Sequence, residues 1–401
     1  MRICGVISEY NPFHSGHAAL LHAVREELGA DCGIVCCMSG NFVQRGEAAL
    51  MPKHLRAEAA VRCGADLVLE LPAPYALRSA EGFAESGVAV LSGLGCLTHL
   101  SFGAEDADRA LLLQTAEILL EHSTVQQTLL QLREGISYAA ARERALYARI
   151  QERTELLKKP NNILAVEYCK SIRKQQLSLE ILPIHRVGAA HDGTCADETA
   201  SASFLREQIR CGHAEQALPF LPEGSETIFH RAQEKGLLLT DPERLEAQML
   251  SQWSRLTPEM LSHLPDAAEG LENRLYEAIH SQRSADSVAQ AAKTKRYALS
   301  RIRRMLCCAF LGITAEDEKI PAPYIRILAF NDCGREILRR ARKQASLPLL
   351  TKPAHIFDLG AEAQRIFALE NRACDAYHLA LPAWRELPWG SDFRQDAIYV
   401  R

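Results

Sequence analysis

Arg2-Ile3-Cys4-Gly5-Val6-Ile7-Ser8, then Glu9-Tyr10-Asn11-Pro12-Phe13-His14-Ser15-Gly16-His17, then a run to Leu28 with apolar residues at Ala18, Leu20, Leu21, Val24 and Leu28: this opening decides the fold. The first piece is short, apolar and partly β-branched, which predicts a buried strand. The last has one apolar face at helical spacing. Between them Asn11-Pro12 imposes a turn and excludes helix before it. The alternation then continues. Gly33–Met38, Asp66–Leu71 and Leu97–Phe102 read as strands, and Pro52–Cys63 and Ser79–Ser92 as helices. Pro52–Cys63 has its proline near the start and Gly64 just past the end. Strands alternating with helices argue for a parallel sheet covered on both faces and joined by right-handed crossovers.

After Gly103 the pattern turns helical over Asp106–His122, Val125–Arg133, Ser137–Lys158 and Asn162–Ile172, with Leu179–Pro183 a last strand and Thr199–Ile209 another helix. Beyond Pro219 helical periodicity runs to Gly312, and Tyr324–Leu328 restores a strand-like piece. The expectation is an α/β chain of two units: a sheet-containing unit over 1–220 and a mostly helical one over 221–401.

The 401 residues are 47% apolar and 24% charged, the profile of an ordinary soluble globular protein. That composition excludes collagen, a coiled-coil rod and a disordered tail. No apolar run approaches the ~20 residues that span a bilayer, and no secretory leader is readable, so no membrane and a cytoplasmic location are expected. Thirteen cysteines, an odd number without Cys-x-x-Cys or zinc-finger spacing, read as reduced thiols rather than a disulfide framework or metal ligands. The net charge of −4 gives no global pull on nucleic acid. Locally, Lys293, Lys295, Arg296, Arg301, Arg303 and Arg304 follow one another without an acidic residue, and Arg335, Arg339, Arg340, Arg342 and Lys343 form a second cluster.

The first turn carries the chemistry. It lies at the carboxyl end of a strand near a topological switch point, where doubly wound sheets bind ligands. A helix starting there aims unpaired N–H groups and a positive dipole at the same place. Gly16 removes a side chain where a phosphate would approach the backbone. His14 and His17 add donors whose ordinary pKa lets them bear charge beside a phosphate. The set suits holding a triphosphate and stabilising charge on its α-phosphate as pyrophosphate leaves. No P-loop and no Gly-x-Gly-x-x-Gly is present.

His14-Ser15-Gly16-His17, behind Asn11-Pro12-Phe13 and after a first strand, resembles the signature of the nucleotidylyltransferase superfamily. Its members share a Rossmann-like fold and cut ATP between the α- and β-phosphates. Thr199-Ala200-Ser201-Ala202-Ser203-Phe204-Leu205-Arg206 resembles the superfamily's later phosphate-contact motif, with Ser203 and Arg206 in the matching places. Hydroxyl residues opening a helix as plain caps would read the same. An arginine there would fork onto the outer phosphates.

Longer strings resemble one bacterial family in order. They are Gly40-Asn41-Phe42-Val43-Gln44-Arg45-Gly46-Glu47, Arg56-Ala57, Gly64–Pro72, Ser101-Phe102-Gly103-Ala104-Glu105, Pro160–Leu164, Arg186, Thr294–Tyr297 and Pro323–Leu328. The family is the tRNA(Met) cytidine acetate ligases, and the likeness covers nearly the whole chain. It implies that acetate attacks the α-phosphorus of ATP to give acetyl-adenylate and pyrophosphate. The exocyclic amine of the wobble cytidine in elongator tRNA(Met) then takes the acetyl group, giving N4-acetylcytidine and AMP. That amine is a weak nucleophile and a free carboxylate a poor acyl donor, so a mixed anhydride is needed.

The resemblance also implies residue roles. ATP would contact Ile7, Ser8, Glu9, Tyr10, Asn11, Pro12, Phe13, His14, Ser15, Gly16, His17, Ala18, Ala19 and Leu20, with His14 and His17 catalytic on the triphosphate. Gly103 would let an adenosine lie flat, and Arg186 and one of Asn161 or Asn162 would make further ATP contacts. A turn glycine, a surface arginine and a helix cap are the plain alternatives for these. Gln44 and Arg45 would meet the target base or its phosphates, and Lys293, Lys295, Arg296, Arg301, Arg303 and Arg304 the tRNA backbone, unless those charges only solvate a helix. Mg²⁺ is expected through the ATP phosphates, with no protein metal site. Glu70, Glu105 and Asp66 read as structural. Two other functions fit less of the chain: nucleotidylyl transfer to a small phosphorylated metabolite, and a non-catalytic nucleotide- or RNA-binding protein.

Overall fold

The computed structural model describes residues 1–132, 134, 136–186, 200–267 and 270–401. Arg133 and Thr199, at the ends of two expected helices, lie outside the described residues. The chain opens with strand β1 (Ile3–Ser8), helix α1 (Ser15–Leu28) and strand β2 (Gly33–Ser39). A small hairpin, β3 (Phe42–Val43) with β4 (Glu47–Ala48), precedes α2 (Lys53–Arg62) and β5 (Leu67–Leu71). Then come α3 (Ala73–Ala76), α4 (Ala80–Ser92) and β6 (His99–Ala104). Helices α5 (Arg109–Leu120), α6 (His122–Leu132), α7 (Tyr138–Ile150) and α8 (Pro160–Lys174) lead into β7 (Glu180–His185).

These strands form one sheet in the order β5-β2-β1-β6-β7, all parallel. Every residue of β2 and β5 is buried, as a sheet covered on both faces requires. The order reverses between β1 and β6, so their carboxyl ends open the crevice where such sheets bind ligands. Leu21, Val24 and Leu28 of α1 pack on one face, against Cys4, Val6 and Ile34. Leu91, Val166 and Cys169 of α4 and α8 cover the other.

The second half is mostly helical: α9 (Ala202–Arg210), α10 (Glu223–Glu234), α11 (Glu243–Trp253), α12 (Pro258–Ser262), α13 (Leu271–Ser281), α14 (Ala285–Ala292), α15 (Leu299–Leu311) and α16 (Ala315–Lys319). It then returns to the sheet. β8 (Ile325–Phe330) pairs antiparallel with β5, and after α17 (Asp332–Gln344), β9 (Leu349–Leu350) and α18 (Ala361–Ala380), β10 (Ile398–Tyr399) pairs parallel with β8. The sheet therefore takes strands from both sides of residue 220. A second apolar core joins α11 to α15 and α18 through Trp253, Leu275, Met305 and Tyr377.

A buried charge cluster joins the halves. The Lys53 ammonium lies 2.5 Å from Glu70, 2.9 Å from Glu370 and 2.9 Å from Asp392, and Arg326 lies 2.5 Å from Asp392. The three carboxylates stand close enough together to hold a cation, and Lys53 is that cation. Among the described residues no helix is long and apolar enough to cross a membrane.

Candidate active site

Helix α1 begins at Ser15, two residues earlier than the apolar spacing suggests, because His14 caps it. The His14 Nδ1 accepts from the Gly16 N–H at 3.1 Å, and the His17 Nδ1 accepts from the His14 N–H at 3.2 Å. The spacing of the two histidines is thus that of a reciprocal cap at the N-cap and third helical positions. It satisfies two backbone donors that helix starts leave unpaired. The rings lie 3.9 Å apart, centroid to centroid, and Tyr10 meets His17 edge-on at 4.9 Å.

Tyr10 sits at φ 48°, where a bulky side chain is strained, and its buried hydroxyl lies 3.1 Å from the Cys36 Sγ. Strain of about 1–3 kcal/mol is held only where packing over-determines it, as happens at functional turns. The Asn11–Pro12 peptide is cis.

One expectation about this turn changes. The histidines were expected to bear charge. Burial instead lowers the His14 pKa to about 3, with Arg186 and Arg206 adding to the shift. His17 is also held well below its ordinary value, by burial first and then by His14 and Arg186. Each Nδ1 accepts a backbone N–H, so each neutral ring carries its proton on Nε2. The turn therefore offers two neutral Nε2–H donors. Gly16 leaves room for the His14 ring as well: a Cβ there would stand 3.0 Å from the His14 Cε1.

The positive charge comes from arginines. On α9, capped by Ser201, Arg206 donates to the Asn11 carbonyl at 2.8 Å and to the Ser203 Oγ at 3.3 Å. Ser203 and Arg206 are thus brought to the first turn across nearly 200 residues of chain. Arg186 follows β7, its N–H on the Ala104 carbonyl, and its methylenes cover Gly103, where a Cβ would lie 2.9 Å from the Arg186 Cγ. That face of Gly103 is covered rather than bare.

A family model described as HIGH Nucleotidyl Transferase matches residues 1–387. The tRNA(Met) cytidine acetate ligase of Clostridium kluyveri is 38% identical over 403 residues, covering 94% of this chain and 95% of the relative. The chain belongs to the tRNA(Met) cytidine acetate ligase family. The Clostridium perfringens ligase is 33% identical over 399 residues, with 96% of each chain covered. Crystal structures of Thermotoga maritima TmcAL, at 32% identity and full coverage of both chains, superpose with TM-scores of 0.95 for the apo form and 0.93 for the form bound with α-thio ATP.

With the ligase fold in hand, the remaining residues separate. The Glu105 carboxylate takes the backbone N–H of both Asn161 and Asn162 at the start of α8. Asn162 is fully buried and committed to Asp106 through both its amide nitrogen and its oxygen. Asn161 donates its amide to Glu105 at 2.7 Å and accepts from Arg186 at 3.3 Å. Asp66 bonds the Ile34 N–H and Arg25, so it, Glu70 and Glu105 all serve structure. Beside the turn, Glu9 accepts from the Gln44 N–H at 2.9 Å. Burial raises the Glu9 pKa despite Arg206 and Arg45 nearby.

The basic run on α15 differs from its reading as an acid-free stretch, because acids reach it from elsewhere. Arg303 pairs with Asp286 at 2.7 Å and lies 3.9 Å from Glu47. Arg301 donates to the Asp266 carbonyl, and Arg304 is buried beside Asp266. Lys293 and Lys295 stay exposed. Sequence reasoning missed Arg210, which stands four residues after Arg206, a spacing that puts both on one helix face. It also missed the partners of Lys53, for which nothing local in the sequence is a signal.

Proposed function

We propose that this chain activates acetate with ATP and passes the acetyl group to N4 of the wobble cytidine of elongator tRNA(Met). The observation that carries the reading is the reciprocal imidazole cap at the β1/β6 switch point, with the guanidinium groups of Arg206 and Arg186 close beside it. The relatives' activity and the α-thio ATP complex support it. Similarity along nearly the whole chain, helical half included, favours it over nucleotidylyl transfer to a small metabolite.

In the first step an acetate oxygen attacks the α-phosphorus, the bond to the bridging oxygen breaks, and pyrophosphate leaves. His14 and His17 donate to the oxygens on which charge grows, and Arg206, steadied by Ser203, forks onto the outer phosphates. Donors fixed by backbone hydrogen bonds need no reorganisation as the charge develops. Asn161 and Arg186 line the nucleotide side near Gly103. Mg²⁺ travels on the triphosphate, as a cation that prefers phosphate oxygens and water does. In the second step the cytidine amine attacks the acetyl carbonyl, AMP leaves with the broken acyl–oxygen bond, and the amine loses a proton. The target lies in an anticodon loop and is already unpaired, so displacing it into a site costs little. The nucleotide falls to residues of 1–220, and tRNA contact falls to both sides of residue 220, because the sheet and the cleft beside the hairpin draw on both halves. Incubation with ATP, acetate and bulk tRNA tests the reading: acetylcytidine in the tRNA digest supports it, and AMP attached to a metabolite with no acetylcytidine refutes it.

A further inference from the structure

A cleft of about 290 Å³ opens between the β3–β4 hairpin and helices α9, α11, α14 and α15. Its apolar lining includes Leu245, Met249 and Leu306, and its charged lining is Glu47, Glu246, Asp286, Arg210 and Arg303. The cleft connects to the first turn through two side chains. Glu47 lies 3.6 Å from Arg206, which itself holds the Asn11 carbonyl, and 3.9 Å from Arg303. Neither contact is as short as a hydrogen bond, so the carboxylate keeps acceptor capacity for a further donor. Gly46 fixes the hairpin against α15: at φ 76° it packs where a Cβ would stand 2.7 Å from the Arg303 backbone.

We propose that this cleft seats the acceptor cytosine, an inference that rests on the acetyl-transfer reading above. A concave, largely apolar site with a few convergent polar groups is what a flipped-out base requires. The Watson–Crick edge of cytosine presents an amine donor next to the N3 acceptor. Glu47 beside the Arg303 Nη1, the nitrogen that Asp286 does not hold, presents an acceptor next to a donor, the complement of that edge. Uracil offers the reverse order and would set like against like, leaving polar groups unpaired. Arg210 is exposed, one turn from Arg206 on the same face of α9, and has no ion-pair partner among the described residues. It is placed for a phosphate of the incoming strand. Glu47 is the specificity-determining residue of this site.

Two half-reactions separate the outcomes: acetate-dependent exchange of pyrophosphate into ATP without tRNA, and acetylcytidine formation in tRNA. Met249→Trp fills the cleft. The expected result is exchange within twofold of the parent and acetylation lowered at least tenfold. Arg210→Ala, a surface change, should raise the KM for tRNA severalfold and leave exchange alone. A tRNA with uridine at the wobble position should compete at least tenfold less well than the parent tRNA, and Glu47→Ala should narrow that gap. Unchanged acetylation in Met249→Trp, or loss of both half-reactions in it while Arg210→Ala behaves as the parent, overturns the cleft assignment. No acetate-dependent exchange in the parent protein overturns the function itself and the cleft with it.

Discussion

Replacing Gly16 by alanine sets helix stability against site geometry. The new Cβ would stand 3.0 Å from the His14 Cε1 and 3.2 Å from its Nδ1. Non-bonded carbons settle at about 3.5–4.0 Å, so the imidazole must retreat by about 0.5 Å. That movement stretches its 3.1 Å bond with the residue 16 N–H and swings its Nε2–H off the phosphate. A 1 Å misplacement costs about 10²-fold in rate, so half of that costs about tenfold, or about 1.4 kcal/mol of barrier. Gly16 is exposed and no other neighbour crowds the new methyl group. Alanine also removes the entropic cost of glycine in a helix, about 0.5–1 kcal/mol. Gly16→Ala should therefore unfold at the same urea concentration or a higher one while acetate-dependent pyrophosphate exchange falls about tenfold. Exchange at the parent rate would show that the His14 position does not govern the first step.

Four further outcomes follow from the same geometry. His14 has a folded pKa of about 3, below the ordinary 6.5, so the unfolded chain takes up the proton first. Its contribution to stability is complete above about pH 6.5 and is lost as pH falls from there toward 3, about 2 kcal/mol by pH 5. Urea midpoints at pH 7 and pH 5 should differ less in His14→Asn by that amount, and exchange in the parent should show no acid limb near pH 6.5. Asn162→Ala should lower the melting temperature, whereas Asn161→Ala should mainly raise the KM for ATP; the reverse pattern would contradict the assignment. Lys53→Met strands three buried carboxylates with Arg326 alone and should cost about 3–5 kcal/mol in urea unfolding. Alanine at both Lys293 and Lys295 should reduce the slope of log affinity for tRNA against log salt by about 2 in filter binding.

The parts of the fold and site that were legible in the sequence are those fixed locally. Strand, turn and helix at residues 3–28 follow from apolar period and Asn11-Pro12, and the His14/His17 spacing is itself a helix-cap geometry. Ser203 and Arg206 were legible through the resemblance to the superfamily's phosphate-contact motif, and their three-residue spacing puts both on one face of α9 just behind its Ser201 cap. What the sequence hid depends on distant chain. The histidines are neutral because of burial and of Arg186 and Arg206, which much later parts of the chain bring beside the turn. Gly16 also leaves room for the neighbouring His14 ring, which composition does not reveal. Lys53 meets Glu370 across 317 positions and Asp392 across 339. Arg303 looked unopposed until α14 brought Asp286 to it. The Ile325–Phe330 strand was visible as a strand, but nothing in its sequence says that it lies antiparallel beside β5.

The central claim is that acetate strikes the inner phosphorus of ATP at the imidazole-capped turn. Acetate carrying heavy oxygen in both carboxylate positions tests it in one turnover with tRNA. Mass spectrometry should find one heavy oxygen in the AMP released and none in pyrophosphate. Heavy oxygen in pyrophosphate or inorganic phosphate, with AMP unlabelled, would contradict the account.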